Sequence, residues 1–272
     1  MATVKQKGSE ESTKEAEARV AVSTEVAVHN SQLPATIDFA ADAGGGFEEA
    51  DATSFAIPFL RQLQSISAQC KKSDPGYIKG AEEGDFFNTV SEKLYKAEKG
   101  LYVIPCHYIH KYNEWAAGRG GFRGSHSVAE YATLKKGTRI DDKGNNIEYN
   151  ANNGNDIQDS REHYLLIIDD EAGTAEPVLM TFTSSQIKKS KKWMTQMQSI
   201  KIGGAIAPMF SQIYKISAIA ESSDKYTWAG VKIEHIGPVA SVDVYTQAKQ
   251  FRDMVRSGAA KPVSPDNDDV AY

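Results

Sequence analysis

The sequence predicts a mainly β fold of the α+β class, an OB-like antiparallel barrel with one or two peripheral helices. Short apolar runs separated by Gly, Asn and Asp extend from Phe55 to about residue 183. This pattern is typical of barrels and sandwiches rather than of parallel sheets. Further along the chain, two alternating segments flank a tight turn at residues 222–224, which is the clearest hairpin signal in the sequence.

Charge divides the chain into three parts. The net charge is -5, but the first fifty residues hold nine acidic and four basic side chains, and the last fifteen hold three Asp and one Lys. The middle is therefore slightly basic, which removes the objection that acidic proteins rarely bind nucleic acid. Low apolar content predicts disorder at the ends. We expect a disordered acidic arm at 1–52, one folded domain at 53–257 and a flexible acidic tail at 258–272.

Apolar spacing and turn residues predict the elements of the domain in order. A possible N-cap at Ser184 or Ser185 begins a basic amphipathic helix, and Gly258 ends the last helix. The polar stretch Gly137–Ser160 is expected to be a long hairpin or a mobile loop. The expected strands are Asp85–Thr89, Gly100–Trp115, His163–Asp169, Pro177–Thr183, Met209–Glu221 and Lys225–Ile236, and the last helix is expected at Ser241–Arg256.

The sequence excludes several classes of function. Cys70 and Cys106 are the only cysteines, too few for a disulfide framework and too isolated for a zinc site. No apolar stretch is long enough for a membrane helix, and no secretion signal is evident. The chain also lacks a recognisable nucleophile motif or phosphate-binding loop. We therefore expect a non-enzymatic cytoplasmic protein (in the host cytoplasm if viral) without metal or cofactor.

One strand combines rings with a basic loop. Strict alternation would place Tyr102, Ile104, Cys106, Tyr108, His110 and Tyr112 on one face, and Leu101, Val103, Ile109 and Lys111 on the other. The strand runs into the loop Arg-Gly-Gly-Phe-Arg-Gly at residues 119–124. Rings that stack on bases beside cations that pair with phosphates suit an unstacked single strand. Purely structural pairing of tyrosines across strands is the alternative interpretation.

Two later elements add cations and rings. Residues 185–201 carry five lysines and no acidic residue, so a polyanion would relieve their mutual repulsion, although an ordinary solvated face is the alternative. The late hairpin offers further rings, which are equally compatible with a core. The candidate DNA-binding residues are Tyr108, His110, Lys111, Tyr112, Trp115, Arg119, Phe122, Arg123, Lys188, Lys189, Lys191, Lys192, Trp193, Tyr214, Lys215, Tyr226, Trp228 and Lys232.

A mildly basic body with aromatic strands, followed by an acidic tail ending in an aromatic residue, resembles the single-stranded DNA-binding proteins of bacteriophage replication systems. The resemblance implies an OB-fold body that protects single strands during DNA replication or recombination. It also implies that the tail recruits replication or recombination proteins or competes with DNA for the binding groove. The tail residues that carry this expectation are Asp266, Asp268, Asp269 and Tyr272.

Other interpretations of the protein's function are compatible with the sequence. RNA is an alternative ligand, and self-association into a homo-oligomer is compatible with the chain. A phage structural or scaffolding protein, or a protein-interaction module, would use the same aromatics as core. A metal-dependent nuclease or recombination enzyme would need the acidic residues Asp169 and Asp170 to hold a divalent ion.

Overall fold

The structure is a computed structural model that describes residues 41–42, 45–51, 54–118, 120–142, 144–169, 174–224 and 227–262. The chain divides into two compact units, Met1–Glu49 and Ala50–Tyr272. In the first unit the described residues form turns, and the Gly45 amide donates to the Asp42 carbonyl at 3.0 Å. All described strands and helices belong to the second unit.

The fold is mainly β, as predicted, with few helices. The helices are α1 (Val128–Thr133), α2 (Ile187–Ser199) and α3 (Val242–Ser257). The strands are β1 (Ala56–Ile57), β2 (Leu60–Gln62), β3 (Phe86–Asn88), β4 (Leu94–Tyr95), β5 (Leu101–Trp115), β6 (Phe122–Ser127), β7 (Lys136–Ile140), β8 (Asn146–Asn150), β9 (Asp156–Asp169), β10 (Thr174–Phe182), β11 (Lys201–Ile202), β12 (Ala205–Ile206), β13 (Gln212–Ser222), β14 (Thr227–Pro238) and β15 (Lys261–Pro262).

An antiparallel sheet of eight strands organises the second unit. Its order is β14-β13-β5-β9-β8-β7, and β6 and β10 pair with β5 and β9 respectively. The long strands β5 and β9 are paired from Tyr102 opposite Ile168 to Trp115 opposite Asp156. Among the described residues no sheet closes on itself. The predicted barrel is therefore not confirmed, and the sheet is open.

Helices cover both faces of one half of this sheet. On the first face, Trp193 of α2 packs in a buried cluster with Val103 and Tyr214. On the second face, Phe251 of α3 packs in a separate cluster with Ile104 and Leu179. Burial of apolar area on two faces stabilises a layered sandwich. The half of β5 and β9 beyond these helices is where polar side chains can reach solvent.

A β-bulge at Cys106 changes which side chains of β5 share a face. Pro105 lies opposite Leu165 and His107 lies opposite Tyr164, so Cys106 has no partner across the ladder. One extra residue reverses the alternation that follows it. The predicted single face is therefore wrong: Ile104 and Cys106 belong to the α3 core, whereas the even-numbered residues from Tyr108 to Tyr112 lie on the α2 side.

Several predicted elements are confirmed. The last helix begins after Ser241, whose side chain accepts from the Val244 amide, and ends at Gly258 with φ 75°. The polar stretch 137–160 forms the β7–β8 hairpin and the start of β9. The helix α1 was not predicted, although Ser127 and Glu130 form a reciprocal capping box there.

The described helices include none long and apolar enough to cross a membrane. Cys70 and Cys106 are free thiols. In the part of the chain that the structure describes, no three His, Cys, Asp or Glu side chains are grouped closely enough to hold a metal ion. Asp170 of the nuclease hypothesis lies outside the described residues.

Candidate nucleic-acid interface

Four partly exposed rings form a row on the α2 side of the sheet, beyond the bulge. Tyr108, His110 and Tyr112 alternate along β5 and so point to the same side. The His110 and Tyr112 ring centroids lie 5.0 Å apart, and Tyr131 of α1 stacks on Tyr112 at 3.5 Å with 5° between planes. We call Tyr108, His110, Tyr112 and Tyr131 the aromatic strip.

The short helix α1 holds Tyr131 in this position. The Tyr131 hydroxyl donates to Glu148 Oε1 at 2.7 Å, and Lys136 Nζ lies 4.1 Å from the centroid of the Tyr131 ring. Burial, followed by the Glu148 carboxylate, raises the pKa of Tyr131, so the ring stays neutral. Sequence reasoning missed Tyr131 and Lys136, but the Ser-x-x-Glu pattern at residues 127–130 was a usable signal for the helix.

Arg161 and Asp159 of β9 form the floor beside the rings. Arg161 donates from Nε and Nη2 to the two Asp159 carboxylate oxygens at 2.7 and 2.8 Å, and from Nη1 to the Tyr108 hydroxyl at 3.2 Å. His110 Nε2 lies 3.1 Å from Asp159 Oδ1. Burial and then the Arg161 charge lower the pKa of His110. His110 is therefore a neutral ring at neutral pH.

The basic helix α2 borders the same face. Ser190, Trp193 and Met197 are its buried residues, which leaves Lys188, Lys191 and Lys192 exposed. Ser190 Oγ of α2 lies 2.8 Å from His163 Nε2, and the His163 ring centroid lies 5.1 Å from that of Tyr108, which places this helix beside the aromatic strip. We call the three lysines exposed on this helix, Lys188, Lys191 and Lys192, the cationic margin.

Lys189 and Lys111, also predicted to bind DNA, are already paired with carboxylates. Lys189 Nζ lies 2.5 Å from Glu221 Oε1 and donates to the Val231 carbonyl at 2.6 Å. Lys111 Nζ lies 2.7 Å from Glu162, which is buried. These lysines hold elements together, because a buried carboxylate left without its cation is costly.

Three predicted stacking rings lie in the core instead. Trp193, Tyr214 and Trp115 are 1%, 0% and 4% exposed. Trp193 stacks on the buried His163 with ring centroids 4.7 Å apart and meets Tyr214 edge-on at 5.4 Å. Buried rings present no open face on which a base can stack in this conformation, and the packing of these three side chains stabilises the fold.

The remaining predicted residues are scattered. Lys215 Nζ lies 5.6 Å from the Tyr102 ring, Trp228 donates from Nε1 to Glu221 at 3.1 Å, and Lys232 pairs with Glu234 at 2.9 Å. Lys232 shares a shallow groove with Lys192. Phe122 contacts Trp115 at 5.4 Å, and Arg123 is exposed. Outside the described residues lie Arg119, Tyr226, Asp266, Asp268, Asp269 and Tyr272.

A buried carboxylate closes one end of the aromatic strip. Glu114 Oε1 accepts from Asn153 and Asn155 at 2.5 and 2.6 Å, and Oε2 accepts from Asn150 at 3.1 Å and lies 2.6 Å from His126 Nε2. Burial alone would raise the pKa of Glu114, but these hydrogen bonds together lower it to about 2. Glu114 thereby fastens the β8–β9 turn and β6 to β5.

The low pKa of Glu114 predicts that the free energy of unfolding decreases in acid. Because the folded-state pKa is below the ordinary value of 4.5, the stabilisation is fully present above that value and is lost as the pH falls towards about 2. Urea unfolding of Glu114→Gln should show a free energy of unfolding lower by about 1–3 kcal/mol at neutral pH. Because the variant has no carboxylate at position 114, its free energy of unfolding should fall less than that of the unaltered protein as the pH is lowered from 4.5 towards about 2.

Glu234, an exposed carboxylate that pairs with Lys232, supplies the control. Glu234→Gln should change the free energy of unfolding by less than about 1 kcal/mol, as for surface ion pairs. An equal effect of both variants would show that the Glu114 hydrogen bonds do not stabilise the fold.

Comparison with known proteins connects this chain to phages. A family model described as Pam3 phage gp34-like protein matches residues 25–261. No curated protein and no solved structure matches the chain. The matched region includes the whole aromatic strip and the lysines of α2. The chain belongs to the family of Pam3 phage gp34-like proteins.

Proposed function

We propose that this phage-family protein binds single-stranded DNA with little sequence preference, and so protects single strands during phage DNA replication or recombination. The observation that supports the proposal is the aromatic strip bordered by Lys191 and by Lys136. Rings supply stacking, which every base accepts, and cations follow the phosphates. The proposal needs an accessible face of an open sheet and does not need a closed barrel.

The charges around the aromatic strip fit this use. The carboxylates nearest the rings are already engaged, since Asp159 pairs with Arg161 and Glu148 accepts from Tyr131. The exposed lysines of α2 can attract phosphates to the end of the aromatic strip that lies away from the carboxylates Glu148 and Glu114. The His110 and Tyr112 ring centroids lie 5.0 Å apart with 46° between their planes, which is wider and less parallel than the stacked bases of a duplex, so an extended strand with splayed bases suits them better.

Salt dependence tests the role of the lysines. A Lys188/Lys191/Lys192→Gln variant should bind a labelled oligonucleotide of roughly 30 residues more weakly than the unaltered protein in fluorescence anisotropy. The slope of log K against log salt should fall by about 0.7 for each lysine that contacts a phosphate. A Lys72/Lys79/Lys99→Gln variant has the same change in net charge at exposed positions elsewhere and should leave the slope unchanged.

Equal slopes for the two lysine variants would show that α2 is not the phosphate-binding element. Absence of any binding at low salt would refute the proposal as a whole. Binding to a duplex as tight as to the single strand would refute the stacking arrangement, because paired bases do not offer their faces. Matched RNA and DNA oligomers in the same titration decide between the two nucleic acids.

The acidic tail is part of the proposal. Asp266, Asp268 and Asp269 are tethered to a body with a cationic margin, and tethering gives a high effective concentration. The tail would thereby compete with DNA or present its terminal Tyr272 to replication or recombination proteins. Its support is the sequence, since these residues lie outside those that the structure describes.

A phage structural protein is the second candidate. The β11–β12 hairpin carries Ile202 and Ile206, each 56% exposed. Apolar side chains exposed at a hairpin suit contact with another protein surface. Light scattering that shows a large assembly without any affinity for nucleic acid would favour this candidate over DNA binding.

A further inference from the structure

A polar cavity lies on the α3 side of the sheet, opposite the aromatic strip. It has a volume of about 280 Å³ and lies between the segment Leu60–Gln64 and the far half of β5 and β9. Asn113, Trp115 and Gln158 line it from the sheet. This volume is close to the lower end of the roughly 300–1,000 Å³ usual for ligand pockets, so it suits a small molecule.

The cavity gathers polar atoms that the fold leaves without partners. Trp115 Nε1, Thr181 Oγ1, Gln62 Oε1 and Gln186 Oε1 are buried and make no hydrogen bond to any described residue, and all four residues line the cavity. The Gln62 amide is already fixed, since its Nε2 donates to the Gly230 carbonyl at 2.9 Å. Buried polar groups are ordinarily paired with protein, bound water or a ligand, so these four atoms around a single cavity are available to a partner from outside the chain.

The unpaired atoms define the chemistry of that partner. The indole N–H of Trp115 requires an acceptor, and the carbonyl oxygens of Gln62 and Gln186 require donors. The hydroxyl of Thr181 serves either role. A ligand that pairs with these atoms must therefore present both donors and acceptors.

Charge and shape narrow the class further. The charged residues that line the cavity are Arg61, Lys71, Asp74 and Glu162, so positive and negative side chains balance, and Glu162 is already paired with Lys111. With Lys111 counted, the excess is one positive charge, so the lining offers no strong countercharge for a multiply charged ligand. Apolar contact is offered by Phe59, Leu63 and Met180, which suits the faces of a flat ring.

We infer that this cavity binds a nucleobase, the neutral flat heterocycle that carries N–H donors and carbonyl or ring-nitrogen acceptors on one edge. The base comes either from a free nucleoside or from a nucleotide of a bound strand. The inference is independent of the aromatic strip, because the two surfaces lie on opposite faces of β5 and β9.

Calorimetric titration of the full chain with adenosine, guanosine, cytidine and uridine tests the inference, with ribose as the probe that lacks a base. At least one nucleoside should bind saturably and raise the melting temperature, and ribose should do neither. Thr181→Val should weaken the binding of that nucleoside by about 3- to 10-fold, which is the change in affinity expected for the loss of one neutral hydrogen bond. Thr138→Val, at an exposed position of β7, should not.

The melting temperature of the empty protein gives a second readout. Because the Thr181 hydroxyl has no partner within the described part of the chain, its removal should leave that temperature unchanged or raise it. If no nucleoside binds but Thr181→Val weakens the binding of an oligonucleotide, the base in the cavity belongs to a bound strand. The inference is overturned if no nucleoside binds at millimolar concentration and Thr181→Val leaves oligonucleotide affinity unchanged. Binding at the aromatic strip would survive that result.

Discussion

Trp193→Ala is expected to lower the free energy of unfolding by about 3–5 kcal/mol, the cost of removing a large core ring. Trp193 is 1% exposed and joins His163, Phe182 and Tyr214 in one cluster. Chemical denaturation followed by circular dichroism measures the change.

Trp228→Phe is the matched control. Trp228 is half-buried and donates a single hydrogen bond to Glu221, so its replacement should cost only about 1 kcal/mol. If Trp193→Ala unfolds the protein outright, Trp193→Phe keeps the ring stacked on His163 and should remain folded with a smaller loss. Unchanged stability of Trp193→Ala, with weakened DNA binding, would show that the ring is on the surface after all.

Tyr112→Ala is expected to weaken binding to single-stranded DNA by about 5- to 150-fold, which corresponds to about 1–3 kcal/mol for one stacked base. Tyr112 is the centre of the aromatic strip, because it contacts both His110 and Tyr131. Fluorescence anisotropy with one labelled oligonucleotide gives the affinity of each variant.

Two variants separate stacking from other roles of Tyr112. Tyr112→Phe retains the ring and should bind almost as tightly as the unaltered protein. Tyr102→Ala removes an exposed ring from the same strand, before the bulge and away from the strip, and should not change the affinity. Equal losses for Tyr112→Ala and Tyr102→Ala would contradict a localised strip.

The elements that sequence predicted well are those whose signals are local. The hairpin of β13 and β14 and the helix α3 depend on alternation, on the Ser241 cap and on a left-handed Gly258. The length of β5 also followed from its own residues. Such signals act within a few residues, so one chain is enough to find them.

The candidate site was predicted less well because long-range contacts decide it. The bulge at Cys106 depends on pairing with β9 and reverses the faces of β5. The partners of Lys111 and Lys189, which are Glu162 and Glu221, are distant in sequence. Whether Trp193 is core or surface depended on His163 coming to lie beneath it.

The sequence predicted three of the four residues of the aromatic strip. Tyr108, His110 and Tyr112 were candidates, whereas Tyr131 and Arg161 were not. Tyr131 lies in the helix α1, which was not predicted because the residues around it are mostly polar, although its capping box was a signal for a helix. Arg161 acts through Tyr108 and Asp159, which β5 and β9 bring together only when the sheet forms.

Ultraviolet crosslinking of a bound oligonucleotide, followed by mass spectrometry of the attached peptides, tests the central claim most directly. A base that stacks on the aromatic strip lies in contact with its rings, so crosslinks should map to Tyr108, His110, Tyr112 or Tyr131. They should also be lost in Tyr112→Ala. Crosslinks confined to other segments of the chain, or none at binding concentrations, would contradict the assignment of this face as the DNA-binding surface.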